Sequence, residues 1–139
     1  MLDILNFIVG STSTILSALA IYLYIVLWKK DKTDGAYDVF DSMYKDLLSV
    51  GLDYPQLRDK QKTQHFENSF EGEDRIRYET YAFMVMNFCE TIYDRGNKDL
   101  LETWGVVLHI EMDLHSKWLL SDENKRKYKS SFITYMQKL

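Results

Sequence analysis

The chain has 139 residues, a formal charge of −4 at pH 7 and 14% aromatic residues. Its totals are 17 basic and 21 acidic residues, and subtracting Lys29, Lys30 and Asp3 leaves 15 basic and 20 acidic residues in the part beyond position 30. The part from residue 31 to residue 139 is long enough for one domain. Its excess of acidic over basic residues excludes general nucleic-acid binding.

The first 30 residues are predicted to form a transmembrane anchor. No charge occurs from Ile4 to Trp28, and a helix of about 25 residues rises about 37 Å, more than the ~30 Å hydrocarbon core. Two lysines follow Trp28 directly, and basic residues favour the cytoplasmic side. We therefore expect a single-pass anchor over residues 1–30 in the bacterial inner (plasma) membrane, with the N-terminus outside and residues 31–139 in the cytoplasm.

A stripe of mostly small or polar residues runs along this predicted anchor. Its members are spaced alternately four and three residues apart, the period of helices that supercoil left-handedly. Lipid offers the polar members no hydrogen-bond partner, so we expect the stripe to face copies of the chain while the opposite face meets the lipid bilayer. The contact is either dry helix packing or the wall of a water-filled pore. The stripe consists of Asn6, Gly10, Ser13, Ser17, Ala20, Tyr24, Leu27 and Asp31.

Residues 31–139 are predicted to form an all-α bundle of about four to five helices. Apolar residues recur with a helical period from Val39 to Val50, from Tyr78 to Ile92 and from Leu101 to Trp118. The polar stretch 59–74 fits either a poorly buried helix or a loop. Sustained strand alternation is missing, so the fold class is all-α.

A glutamate and a histidine lie on an apolar face of the last long predicted helix. Glu111 and His115 fall between Trp104 and Trp118 with 3–4 spacing, and each needs a polar partner if it is buried. The pair either satisfies itself and fixes the helix register, or belongs to a ligand pocket or a pH-sensitive switch. No metal, cofactor or catalytic motif is expected, since a carboxylate-bridged di-metal bundle needs two Glu-x-x-His repeats.

A basic cluster follows this helix. It can hold a small anion such as a nucleotide phosphate, but acidic neighbours offset part of its charge, which favours a solvated surface. The cluster consists of Lys125, Arg126, Lys127 and Lys129.

Several short segments together carry a resemblance. They are Tyr54-Pro55-Gln56-Leu57-Arg58, then Arg77, Tyr81 and Asn87-Phe88-Cys89-Glu90, then Trp104 and Trp118. In this order the chain resembles a loosely defined family of bacterial one-helix membrane proteins with a small helical domain of unknown function, which implies no catalytic residues. Its architecture also looks like that of membrane effectors in bacterial antiviral systems, where a soluble part senses a signal and the anchor breaches the membrane.

Three functions remain open at this point. The leading hypothesis is an oligomeric membrane effector whose helical domain controls a pore or lesion built from the anchors. The second is a non-enzymatic membrane anchor or accessory subunit that tethers a partner protein through an exposed helical surface. The third is an enzyme that uses Glu111 and His115.

Overall fold

The computed structural model describes the backbone of residues 2–96 and 98–139, and the side chains of residues 19–28, 30, 35–96 and 98–139. Over these residues the fold is all-α, as predicted, and no strand occurs among them. Two units can be separated, Met1–Asp38 and Val39–Leu139. The α-helices are α1 (Leu2–Asp53), α2 (Lys60–Gln64), α3 (Phe66–Ser69), α4 (Gly72–Arg95), α5 (Lys98–Leu119) and α6 (Ser130–Met136), and two 3-10 helices cover Pro55–Arg58 and Lys125–Lys127.

The prediction of a membrane anchor is wrong for the described part of the chain. Within that part, the structure contains no helix with the length and apolar character that a membrane crossing requires. The uncharged run with described side chains extends from Leu19 to Trp28, and its ten residues rise about 15 Å, half of the ~30 Å hydrocarbon core. The predicted single-pass span and its inner-membrane location are corrected accordingly. The pore hypothesis depended on that span and stays without support.

The stretch left open between helix and loop forms the short helices α2 and α3. Asp59 starts α2, because its carboxylate accepts hydrogen bonds from the backbone N–H groups of Gln61 and Lys62. Phe66 and Phe70 are buried, so this polar-looking stretch still contributes to the core. Gly72, at the start of α4, has a φ of 52°, a left-handed conformation that glycine adopts without strain.

Helix α4 is the central helix of the unit Val39–Leu139. It packs against α5, and its apolar residues from Tyr78 to Ile92 are buried over a broad arc of the helix, which a helix surrounded by others requires. The buried residues are Tyr78, Tyr81, Ala82, Val85, Met86, Phe88, Cys89 and Ile92.

Four aromatic rings join the C-terminal half of α1 to α4 and α5. Tyr44 stacks on Phe88 at a centroid distance of 5.5 Å, and Trp104 meets both rings edge-on at 5.9 and 5.6 Å. Phe40 contacts Phe88 and Trp104 edge-on as well. These edge and stacked arrangements are the favoured ones for aromatic pairs, so this cluster fixes the position of Tyr44 beside α5.

Candidate functional site

The most unusual feature of the interior is an ion pair with a fully buried acid. Glu111 on α5 has a side-chain exposure of 0%, and Arg58 of the 3-10 helix Pro55–Arg58 reaches it with both terminal nitrogens. Arg58 Nη2 donates to Glu111 Oε1 at 2.8 Å, and Nη1 donates to Oε2 at 3.1 Å. This two-pronged geometry matches the guanidinium fork to the carboxylate and gives each oxygen a charged donor.

Two tyrosines complete what we call the Arg58–Glu111 cluster, formed by Tyr44, Arg58, Tyr81 and Glu111. The Tyr44 hydroxyl donates to Glu111 Oε1 at 2.9 Å, and Arg58 Nη1 also donates to the Tyr81 hydroxyl at 3.0 Å. The Tyr81 hydroxyl in turn donates to the backbone carbonyl of Leu47 at 3.3 Å. Burial and the Glu111 carboxylate raise the pKa of Tyr44, so its proton stays on the phenol. The cluster therefore connects α1, the Pro55–Arg58 turn, α4 and α5.

His115 lies one turn after Glu111 and is also fully buried. Its Nδ1 lies 3.2 Å from the Tyr78 hydroxyl, whereas its Nε2 lies 3.7 Å from Glu111 Oε2 and has no hydrogen-bond partner among the described residues. Desolvation, together with the positive charge of Arg58, lowers the pKa of His115 to about 3. The ring is therefore neutral near pH 7. A proton placed on Nε2 faces the carboxylate and leaves Nδ1 to accept the tyrosine hydrogen, which is the electrostatically favoured tautomer.

The structure places Glu111 and His115 next to each other on α5, but Glu111 takes its hydrogen bonds from Arg58 and Tyr44. Sequence reasoning missed both of these partners. The available signal was the acid itself, because a carboxylate on an apolar face requires a cation when it is buried. The sequence gives no indication of which of the 17 basic residues supplies it.

The two tryptophans predicted for the same site lie in different surroundings. Trp104 belongs to the aromatic cluster around Phe88, and in the part of the chain that the structure describes its indole nitrogen has no hydrogen-bond partner. Trp118 is buried on one side and lines a surface groove on the other, with Lys127 Nζ 5.7 Å from its ring centroid.

Gly51 supplies the space in which the Arg58 side chain lies. A Cβ atom at this position would sit 2.5 Å from Arg58 Cδ and 3.3 Å from the Tyr81 hydroxyl. We expect Gly51→Ala to shift Arg58 away from Glu111 and to lower the free energy of unfolding by about 1–3 kcal/mol. Gly105→Ala is the matched control, since a Cβ there meets nothing within 4 Å and alanine raises helix stability by about 1 kcal/mol. Urea unfolding followed by circular dichroism measures both, and equal behaviour of the two variants would contradict the close packing at Gly51.

Two grooves flank the exposed face of α4 and share Asn87. Their walls include large apolar side chains of α4 that are open to solvent, with Ile76 67%, Phe83 41% and Met84 49% exposed. The α1–α4 groove is lined by Met43, Asp46, Leu47, Met84, Asn87, Phe88 and Thr91. The α4–α5 groove is lined by Ile76, Glu79, Thr80, Phe83, Asn87, Trp118 and Lys127.

The basic cluster after α5 is largely engaged by neighbouring acids. Lys125 pairs with Asp122, Lys127 with Glu123 at 3.8 Å, and Lys129 with Asp94. These contacts favour the solvated-surface interpretation over an anion site. No group of side chains suited to hold a metal ion occurs in the described part of the chain.

Most of the predicted N-terminal stripe lies outside the residues whose side chains are described. This applies to Asn6, Gly10, Ser13, Ser17 and Asp31. The remaining members, Ala20, Tyr24 and Leu27, are exposed.

Comparison with protein-family models, with curated proteins and with solved structures finds no match to this chain, so the resemblance to a family of one-helix membrane proteins gains no support from it.

Proposed function

We propose that the unit Val39–Leu139 is a non-enzymatic protein-binding domain that tethers a partner protein. The observation that carries this proposal is the exposed apolar surface of α4, where Ile76 and Phe83 line one groove and Met84 lines the other. Clustered apolar side chains rimmed by polar ones are typical of surfaces that bind other proteins.

The buried polar groups argue for a structural role of Glu111 and against its use in catalysis. Both carboxylate oxygens accept hydrogen bonds from Arg58, and Tyr44 adds a third donor. The side chain is fully buried, so a substrate reaches it only if these contacts break. His115 beside it is neutral and equally buried, which leaves the enzyme hypothesis without an accessible acid or base at this pair.

The chemistry of the α1–α4 groove favours an amphipathic helix with basic flanks as the occupant. Met43 and Met84 both line the groove, and flexible methionines adapt to the apolar anchors of a bound helix. Asp46 lines the same groove and forms no ion pair with the side chains that the structure describes. Acidic residues exceed basic ones by five beyond position 30, as counted above. A partner helix with leucine-like anchors and lysine or arginine on its rim complements both properties.

A pair of model peptides tests this proposal. Both have about 20 residues with leucines at helical spacing, and they differ only in carrying lysine or glutamate at the other positions. We expect the leucine–lysine peptide to bind the purified chain and the leucine–glutamate peptide to bind far more weakly. Fluorescence anisotropy of labelled peptides measures both affinities.

The variant Met84→Glu separates docking in the groove from simple charge attraction. It adds a negative charge, so it would tighten binding that is only electrostatic, but it should weaken docking on the apolar groove by at least about tenfold. Val106→Glu is the matched control, because Val106 is 68% exposed on α5 and receives the same charge outside the groove. Equal effects of the two variants, or tighter binding with Met84→Glu, would overturn the proposal.

A further inference from the structure

The segment of α1 from Leu19 to Leu27 exposes apolar side chains in every direction around the helix. Seven consecutive large residues, from Ile21 to Leu27, are each 43% to 69% exposed. At 100° per residue, seven positions cover nearly two full turns, so no face of this segment is polar. Leu19 adds a further side chain that is 51% exposed.

This surface is larger than single protein chains usually leave in contact with water. Seven half-exposed side chains of about 200 Å² each present roughly 700 Å² of apolar area. The largest apolar patch on a monomer is about 300–600 Å². A helix that is apolar all round is typical of one that is surrounded by other structure. The segment therefore requires other structure that packs against it.

A second copy of the chain is the occupant that the observations favour. The segment carries no charge from Leu19 to Trp28, so identical copies approach without repulsion. Its area, summed all round the helix, is close to the ~800 Å² that each partner contributes to a standard protein interface, so covering it takes contacts on more than one side. Ala20, Tyr24 and Leu27 follow the 4–3 spacing that places side chains on one seam between helices.

One such seam leaves the opposite face in water. Tyr22 and Val26 lie on the side of the helix away from Tyr24, and they are 64% and 43% exposed. Only an arrangement in which each helix has neighbours on both sides covers them as well. We propose that residues 19–27 assemble three or more copies of this chain side by side into an array, in which each segment contacts one neighbour on each of two opposite sides.

Cysteine cross-linking tests the number of neighbours directly. Leu23 and Ile25 point about 200° apart on the helix, so in an array with neighbours on opposite sides the two positions face different copies. We expect the double variant Leu23→Cys/Ile25→Cys to give a ladder of covalent dimers, trimers and larger species when a short bismaleimide is added to intact cells. The natural cysteine is a silent background, because Cys89 is fully buried and burial raises the pKa of its thiol.

Two further variants keep the result interpretable. Leu23→Cys alone has one reactive site in each copy and should stop at dimers. Leu52→Cys/Val106→Cys places two exposed cysteines in the other unit, where residues 52 and 106 are 80% and 68% exposed, and should give no ladder. A ladder that ends at the dimer in Leu23→Cys/Ile25→Cys, or one that consists of cross-links to a different protein, would overturn the proposal, as would the absence of any cross-link.

Discussion

Replacing Arg58 with methionine should lower the free energy of unfolding by on the order of 3–5 kcal/mol. The variant keeps much of the apolar stem but leaves the Glu111 carboxylate fully buried without its cation, and removing one member of a buried ion pair has an effect of this size. Urea unfolding at pH 7, followed by circular dichroism, measures the change. Replacing Arg58 also removes the hydrogen-bond donor to Tyr81 Oη, which adds to the loss of stability.

A second ion pair serves as the control for this prediction, since each of its members lies two residues after a member of the buried pair. Lys60 and Asp113 form an ion pair of 2.7 Å between the same parts of the fold, but their side chains are 60% and 50% exposed. An exposed pair contributes about 0–1 kcal/mol, so Lys60→Met should change stability little. The double variant Arg58→Met/Glu111→Leu should recover part of the loss, since it removes the buried charge together with its partner. Similar losses for Arg58→Met and Lys60→Met would show that the buried pair does not hold the unit together.

The contrast between these two pairs shows what the sequence can and cannot predict about the site. The 3–4 spacing of Leu108, Glu111 and His115 with the tryptophans predicts that the acid and the histidine lie on a buried face, and both are buried. The choice of Arg58 over Lys60 depends on which side chain the Pro55–Arg58 turn directs inward. That direction follows from the three-dimensional path of a turn 53 residues away from Glu111, and periodicity contains no information on it.

Periodicity likewise predicts some parts of the fold and not others. Long helices with an apolar period, such as α4, are predictable because burial selects their pattern. The sequence does not decide between helix and loop for the segment that contains α2 and α3, because its signals are local and weak. The position of this segment depends on Phe66 and Phe70, which meet the Tyr78 ring at 5.7 and 4.5 Å. The anchor prediction was wrong because the described part of the apolar run is too short to cross a membrane, and an uncharged apolar run is typical of helices in more than one environment. Hydropathy alone does not separate these environments.

Acid should destabilise the unit Val39–Leu139 through His115, with the loss concentrated between pH 6.5 and about 3. Its folded-state pKa of about 3 lies below the ordinary value of 6.5, so between these limits the unfolded chain binds a proton that the folded chain does not. Stability therefore falls as the pH decreases through this window. The full shift corresponds to roughly 5 kcal/mol at 1.36 kcal/mol for each pKa unit.

The groups that face His115 make this penalty large and make a single substitution informative. Arg58 repels an added positive charge, the nearby Glu111 carboxylate is already held by Arg58 and Tyr44, and Tyr78 offers a hydroxyl.

His115→Gln removes the titrating group while retaining an acceptor for Tyr78. Plotted against pH from 7 to 4, its unfolding free energy should be flatter than that of the natural chain by up to about 1.4 kcal/mol per pH unit, the slope that one proton produces. His109→Gln changes an exposed histidine on the same helix and is the matched substitution with which His115→Gln is compared. If His115→Gln and the natural chain lose stability in parallel, the acid sensitivity arises from the carboxylates, and His115 does not remain neutral in the folded state.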